Sequence, residues 1–166
     1  RVQVEGRTFP GDTAPSPQIR LVTDGYAEAV GMALRRGRML TAADVGPGAP
    51  LVVLINERLA SIAFPGENPI GRRLSTWTDQ PQWREVVGVV GDVLTFGPSR
   101  EPVPELFIPY TQPPPLAWDP FQRSMALVAR TDGSPAPHMA TLRRAVAVVD
   151  PALALFAVRT FDDQLA

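Results

Sequence analysis

The residues of this chain that could do chemistry are few and scattered. His138 is the only histidine, and cysteine is absent. A nucleophilic triad needs a histidine beside an oriented nucleophile and an acid, and no serine here lies in a G-x-S-x-G turn. We interpret His138 as a solvated helix residue, because it follows Pro135 in the first turn of a predicted helix. The lack of cysteine excludes disulfides, thiolate metal sites and cysteine nucleophiles.

Acidic residues surround one segment of the chain without forming a recognisable catalytic set. Glu67, Asp92, Glu101 and Glu105 flank the predicted central strand. Two carboxylates can act together as acid and base, but no histidine or second cluster accompanies these four. We expect Asp92 to end the strand by bonding nearby backbone. We expect no catalytic residue, cofactor or metal, and a hydrolase using Asp92 and Glu105 is the third of three functional hypotheses.

Two glycine-containing segments approach nucleotide-binding motifs and depart from them. Gly66–Arg73 (GENPIGRR) has the glycine spacing of a phosphate loop, but Arg72 and Arg73 stand where lysine and serine or threonine are required. Pro69 also removes a backbone donor. This segment predicts a turn into the next strand. Gly88-x-x-Gly91 lacks the start and the helix of a dinucleotide fingerprint, so close packing is predicted there.

The fold is predicted to form around Trp83–Asp92, WREVVGVVGD. Its valines form a continuous apolar run, which is typical of a strand buried on both faces. Glycines inside a strand indicate a close backbone approach or a bulge. We therefore expect a bulky side chain at Gly88 to destabilise the fold and not to abolish a chemical step.

Other elements are predicted to pack on this strand. One helix is predicted from Asp24 to Gly37, with Tyr26, Val30 and Leu34 on its apolar face, and Thr41–Asp44 is predicted as a turn. A second helix is capped by Asn56 and directs Leu59, Ile62 and Ala63 inward; a third runs from Ser134 to Val149. Strands are predicted at 1–5, 18–23, 50–55, 71–77, 105–110, 124–131 and 153–159, and a capping box at Thr160–Asp163 opens a last helix.

This order predicts an α/β or α+β architecture, a mixed sheet with helices on one face and a parallel crossover from 124 to 159. The net charge is -1 and the chain has no basic tail, so we expect no concentrated positive face of the kind that nucleic acid requires. No run approaches 18 apolar residues, and no signal peptide is present. The chain starts at Arg1 without methionine, so we expect it to be an excised fragment.

Several segments, taken in order, match a known family pattern. They are Tyr26, Gly31, RRGR (35–38), Asp44, VVLINERLA (52–60), FPGENPIGRRL (64–74), EVVGVVGDV (85–93), EPVPELFIPY (101–110), LVART (127–131), LRRAV (142–146) and VDP (149–151). In this order they resemble the MacB-type periplasmic core domain of FtsX/MacB-like ABC transporter permeases, and the large duplicated permeases above all. The resemblance runs from Gln18 to nearly the end of the chain.

The resemblance implies an α+β fold with two lobes, a porter-like one of β-α-β units (18–64 and 123–166) and a β-rich one (65–122). It places the domain outside the cytoplasmic membrane, between the first two membrane helices of a permease, with an initial portion of the domain missing here. A separate cytoplasmic subunit would hydrolyse ATP. A periplasmic adaptor or a second permease copy would be a further partner.

Two functional hypotheses therefore precede the hydrolase. The first is a non-enzymatic domain that couples cytoplasmic ATP hydrolysis to periplasmic conformational change in efflux or substrate extraction. The alternative is a soluble periplasmic ligand-binding or sensory module, whose loops 94–104 and 112–121 would line a cleft. Trp118 and Phe121 are candidate partner contacts in the proline-rich loop, or they fold back onto the core.

Overall fold

The computed structural model describes residues 1–11, 13–76, 81–93, 101–113, 125–153 and 155–160. The chain forms two compact units, Arg1–Val128 and Ala129–Ala166. The first unit contains a mixed sheet with short helices, which confirms the predicted α+β class. The two predicted lobes remain a prediction.

The first unit contains seven described strands and three short helices. In chain order they are β1 (Gln3–Val4), β2 (Gln18–Val22), α1 (Tyr26–Ala29), β3 (Leu34–Gly37), α2 (Ala42–Val45), β4 (Val52–Asn56), α3 (Glu57–Ala63), β5 (Arg73–Ser75), β6 (Arg84–Val90) and β7 (Glu105–Pro109). The second unit contains a 3-10 turn (Ala136–His138) followed by α4 (Met139–Val149).

The seven strands form one sheet centred on β6. Its main order is β1-β5-β6-β4-β7-β2, and β3 also pairs with β6. The β4/β6 and β2/β7 pairs are parallel and the others antiparallel. Strand β4 lies along one edge of β6, while β5 pairs with its first residues and β3 with its last. The predicted central role of this strand is confirmed.

The glycines of β6 lie where the backbone is crowded. Gly88 is the register partner of Gly37, whose φ is +74°. A Cβ on Gly88 would collide with the carbonyl oxygen of Arg38 and lie 2.8 Å from Cδ2 of Leu54. The register with β4 also shifts beside Gly88, as expected for a β-bulge. Close approach and a bulge, both predicted, therefore occur together.

Apolar side chains form a core on each side of the sheet. One cluster includes Val86 and Val89 together with Leu59 of α3, and the other includes Val87 and Val90 together with Ala27 of α1. Val86 and Val89 are three residues apart because the bulge adds a residue to the strand. Since α1 and α3 contribute to different clusters, the prediction that all helices lie on one face is wrong.

The segment from Asp24 to Gly37 was predicted as one helix, and this is wrong. The helix is only Tyr26–Ala29, with Gly25 as its N-cap and no side-chain cap. Leu34–Gly37 is instead β3, because residues 34–37 pair with the end of β6. A four-residue apolar spacing does not reveal a strand partner that lies far along the chain. Thr41–Asp44 is likewise more than a turn, since Thr41 caps α2 with a capping box.

The described residues from 125 onward depart most from the predictions. Residues 125–131 form no strand, and Met125 and Leu127 are 75% and 61% exposed. The described residues of 153–159 form no strand either. No predicted crossover therefore exists among the described residues. The helix is confirmed in α4, but it buries no side chain.

Candidate functional site

Arg84, the first residue of β6, is a buried cation held by neutral oxygens. It is 1% exposed. Its Nη1 donates to the Gln82 carbonyl at 3.2 Å, and its Nη2 donates to the Gln82 Oε1 at 3.2 Å and to the Gln112 carbonyl at 2.5 Å. Its buried Nε has no hydrogen-bond partner within the part of the chain that the structure describes. Burial lowers the pKa of the Arg84 guanidinium.

Gln112 connects this cation to the backbone of two neighbouring segments. Its Nε2 donates to the carbonyl oxygens of Asp44 at 2.8 Å and Pro50 at 2.9 Å. Its Oε1 accepts from the backbone N of Val52 at 3.3 Å. The side chain therefore fixes the segment after β7 against α2 and the start of β4. The bonds to Asp44 and Val52 satisfy backbone groups that would otherwise be buried unpaired.

Asp44 is a second buried polar group near this end of the sheet. Its carboxylate accepts two bonds from Arg38, at 2.6 and 2.9 Å, and bonds from the backbone N and Oγ1 of Thr41 at 2.8 and 2.9 Å. The bonds from Arg38, followed by those from Thr41, lower the pKa of Asp44 to about 2 against the opposing effect of burial. Asp44 is thus a structural anion and not a proton donor near neutral pH.

A third buried polar group joins β2, β4 and β7. Glu105 accepts from Nε and Nη2 of Arg20 at 2.9 and 2.7 Å. Asn56 accepts from the backbone N of Glu105 at 2.9 Å and of Leu59 at 3.0 Å, and donates to the Val103 carbonyl at 2.8 Å. Burial is the main reason why the pKa of nearby Tyr26 is raised. These contacts hold strands together and leave no acid–base pair poised for catalysis.

A cavity of about 640 Å³ opens beside Arg84. Its wall includes the loop of residues 46–49, and the side chains of Leu51 and Tyr110. These two large side chains are 38% and 40% exposed. Among the described residues that line the cavity, Arg84 is the only charged one.

The four carboxylates singled out from the sequence do not form one site. Glu67 pairs with Arg7 and Arg72, Glu101 with Arg58, and Glu105 with Arg20. Asp92 accepts from the backbone N of Arg58 at 2.9 Å, so it bonds backbone as predicted, although the partner lies in α3 and not nearby in the chain. The described residues contain no cluster of metal-ligating side chains.

The other sequence candidates are structural or fall outside the described residues. His138 is exposed in the 3-10 turn, as expected for a solvated residue. Gly66–Arg73 forms the turn that leads into β5, with Gly66 and Gly71 at positive φ. Arg72 pairs with Glu67, and its guanidinium lies 5.8 Å from the centre of the Phe64 ring. Trp118, Phe121 and most of both predicted cleft loops lie outside the described residues.

Arg84 and Gln112 were missed in the sequence. A usable signal existed for Arg84, because side chains two apart in a strand share a face, and Val86 faces the core. The positive charge of Arg84 suggested an exposed position at the end of the strand instead of a buried one. Gln112 gave no local signal, since all three bonds of its side chain reach partners 60 or more residues away.

The chain matches the family model described as MacB-like periplasmic core domain over residues 2–154. The chain belongs to the MacB-like periplasmic core domain family. The family resemblance predicted from the sequence is thereby confirmed, as is a location outside the cytoplasmic membrane. No helix among the described residues is long and apolar enough to cross a bilayer. A search among curated proteins returned no match.

Two solved structures show the same fold. The periplasmic region of MacB from Actinobacillus actinomycetemcomitans has a TM-score of 0.59 and 20% identity, covering 89% of this chain and 61% of its own. A domain of a putative permease protein from Porphyromonas gingivalis has a TM-score of 0.55 and 17% identity, covering 99% of this chain and 76% of its own. The chain thus spans less than two thirds of the MacB region that it matches.

Proposed function

We propose that this domain is a non-enzymatic transmission element of an ABC permease, which couples ATP hydrolysis in the cytoplasm to movement outside the membrane. The observation that carries the proposal is membership of the MacB-like periplasmic core domain family over residues 2–154. The movement would serve efflux or substrate extraction. ATP would be hydrolysed by a separate cytoplasmic subunit, reached through the membrane part of the parent permease. A periplasmic adaptor or a second permease copy would receive the movement.

The sheet of the first unit supports this proposal because it is built to resist internal deformation. Strand β6 is hydrogen-bonded along both edges, and a core packs on each face of the sheet. Packed cores transmit displacement instead of absorbing it. Such a unit would move as a rigid body in a hinge or shear motion.

The proposal is tested by distance measurements in the parent permease with its ATPase, reconstituted in lipid. The chain has no cysteine, so Glu28→Cys on α1 and Ser61→Cys on α3 provide an exposed spin-label pair within the first unit. We expect this distance to stay unchanged between nucleotide-free and ATP-bound states. The distance from Ser61→Cys to a label in the membrane part should change.

The two distances separate the outcomes. If neither distance responds to nucleotide while ATP is hydrolysed, the domain does not transmit the cycle and the proposal fails. If the Glu28–Ser61 distance itself changes, movement occurs inside the unit and the rigid-body mechanism is wrong. The single variants Glu28→Cys and Ser61→Cys, each labelled alone, control for effects of the label on ATPase rate.

A further inference from the structure

Arg84 is buried, and among the described residues no carboxylate pairs with its charge. Taking a cation out of water costs several kcal/mol unless a counter-ion compensates, and guanidinium is best matched by a two-oxygen carboxylate. Arg84 instead bonds two carbonyl oxygens and one amide oxygen, and its Nε has no acceptor. The side chain therefore retains capacity for an anion.

The cavity beside Arg84 is large enough for a small molecule and has both polar and apolar surface. Its volume of about 640 Å³ lies within the range of a few hundred to about 1,000 Å³ usual for such sites. Pro47, Leu51, Tyr110 and Pro113 provide apolar surface around the single charged residue. A ligand with an acidic group and a compact apolar body would match both parts of this wall.

Gln82 occupies the place that an acid would take. Its Oε1 accepts from Nη2 of Arg84 at 3.2 Å, which is at the long end of the usual range. Gln82 also lines the cavity, and it precedes β6 and is only partly buried. Rotation of this side chain toward solvent would release one N–H of Nη2, while the Gln112 carbonyl continues to hold the other.

We propose that the cavity binds an organic carboxylate, whose oxygens pair with Arg84 in place of the Gln82 amide and whose apolar body rests on Leu51 and Tyr110. Such a group belongs either to a small organic acid or to the C-terminus of a peptide. This binding site is separate from the proposed transmission role. All the residues that form it lie in the first unit, so binding can be tested without the parent permease.

Nuclear magnetic resonance of the ¹⁵N-labelled chain tests the site directly. The probes are hexanoate for a small acid and N-acetylleucine for a peptide end, each compared with its neutral amide. We expect the Arg84 Nε–H and the Gln112 side-chain amide to shift with the acids and not with the amides. Stronger binding of one acid identifies the source of the carboxylate. No shift with either acid up to about 10 mM, well above the weakest useful affinity of about 1 mM, overturns the proposal.

Two substitutions at one position separate binding from fold stability. Gln82→Glu would supply an internal carboxylate to Arg84, so it should raise the melting temperature and weaken acid binding by about tenfold, the value of one charge-assisted hydrogen bond. Gln82→Ala should leave acid binding equal or tighter, since it removes a competitor. Gln3→Glu in β1, outside the cavity wall, adds the same charge as a control. A Gln82→Glu chain that binds the acids as tightly as the unmodified chain would refute the site.

Discussion

Asp44 links the protonation state of one carboxylate to the stability of the fold. Its pKa is lowered from 3.8 to about 2, chiefly by the bonds from Arg38. The folded state therefore favours the charged form. The resulting stabilisation is complete above about pH 5 and is lost as the pH falls through 3.8 toward 2. Because Arg38 is 48% exposed, solvent screening reduces the contribution to about 1–2 kcal/mol.

Asp44→Asn should therefore lower the free energy of unfolding by about 1–2 kcal/mol at neutral pH. The loss should shrink below pH 4 and be small near pH 2, where about half of the unmodified carboxylate is itself protonated. Chemical denaturation of both chains at several pH values measures this difference. Glu28→Gln, an exposed site on α1, is the control. A deficit that stays constant down to pH 2 would show that the charge of Asp44 is not the cause.

Gly88 is a position where one added carbon atom meets backbone. Gly88→Val should lower the free energy of unfolding by at least about 1–3 kcal/mol, because overpacking displaces neighbouring atoms. The added side chain meets the carbonyl oxygen of Arg38, and the backbone of Arg38 is itself hydrogen-bonded to the Val87 carbonyl. Gly91→Ala, three residues later, controls for the loss of a glycine in this segment, since its Cβ would lie 3.4 Å from Nε of the flexible Arg35 side chain. Thermal melting compares the two. Normal melting of Gly88→Val would refute this account of β6.

Among the elements, α3 depends on a cap that also belongs to the sheet. Asn56 is 0% exposed. Its side chain accepts from the backbone N of Leu59 in α3 and of Glu105 in β7, and donates to the Val103 carbonyl. Asn56→Ala would leave two buried N–H groups without acceptors, so we expect a loss of about 2–4 kcal/mol. Ser61→Ala removes an exposed bond within the same helix and should cost under about 0.5 kcal/mol. Urea denaturation that gives equal midpoints for both variants would contradict the dual role of Asn56.

The elements that could be predicted from the sequence are those whose own residues determine their burial. The valine run of β6, the apolar run of β4 and the Asn56 cap each carry a local pattern, and each was correct. Strand β3 could not be found, because its residues are all exposed and only pairing with β6 makes it a strand. The apolar pattern of residues 124–131 indicated a strand, but no described strand pairs with it. The burial of Arg84 and the cavity beside it could not be predicted, because both depend on where the segment after β7 lies in three dimensions.

At the scale of the whole molecule, the transmission proposal requires that the sheet moves as one body. The position of β1 offers a way to test this, because it lies at the end of the strand order and β5 is its single partner among the described strands. If the cycle required β1 to separate from β5, locking the two strands together would stop it. If the sheet moves intact, the lock should have no effect on transport.

A disulfide from Gln3→Cys and Ser75→Cys provides this lock. The two residues are direct antiparallel partners, and such partners bring Cβ atoms to about 4.5–5.5 Å, within small adjustments of disulfide geometry. This domain contributes no native cysteine that would compete. In the reconstituted parent permease, we expect oxidation to leave ATP-driven transport unchanged and to raise the melting temperature of the domain. Gln3→Cys alone controls for oxidation. Transport that is lost on oxidation and restored by reduction in the double variant alone would show that the working movement lies inside the sheet.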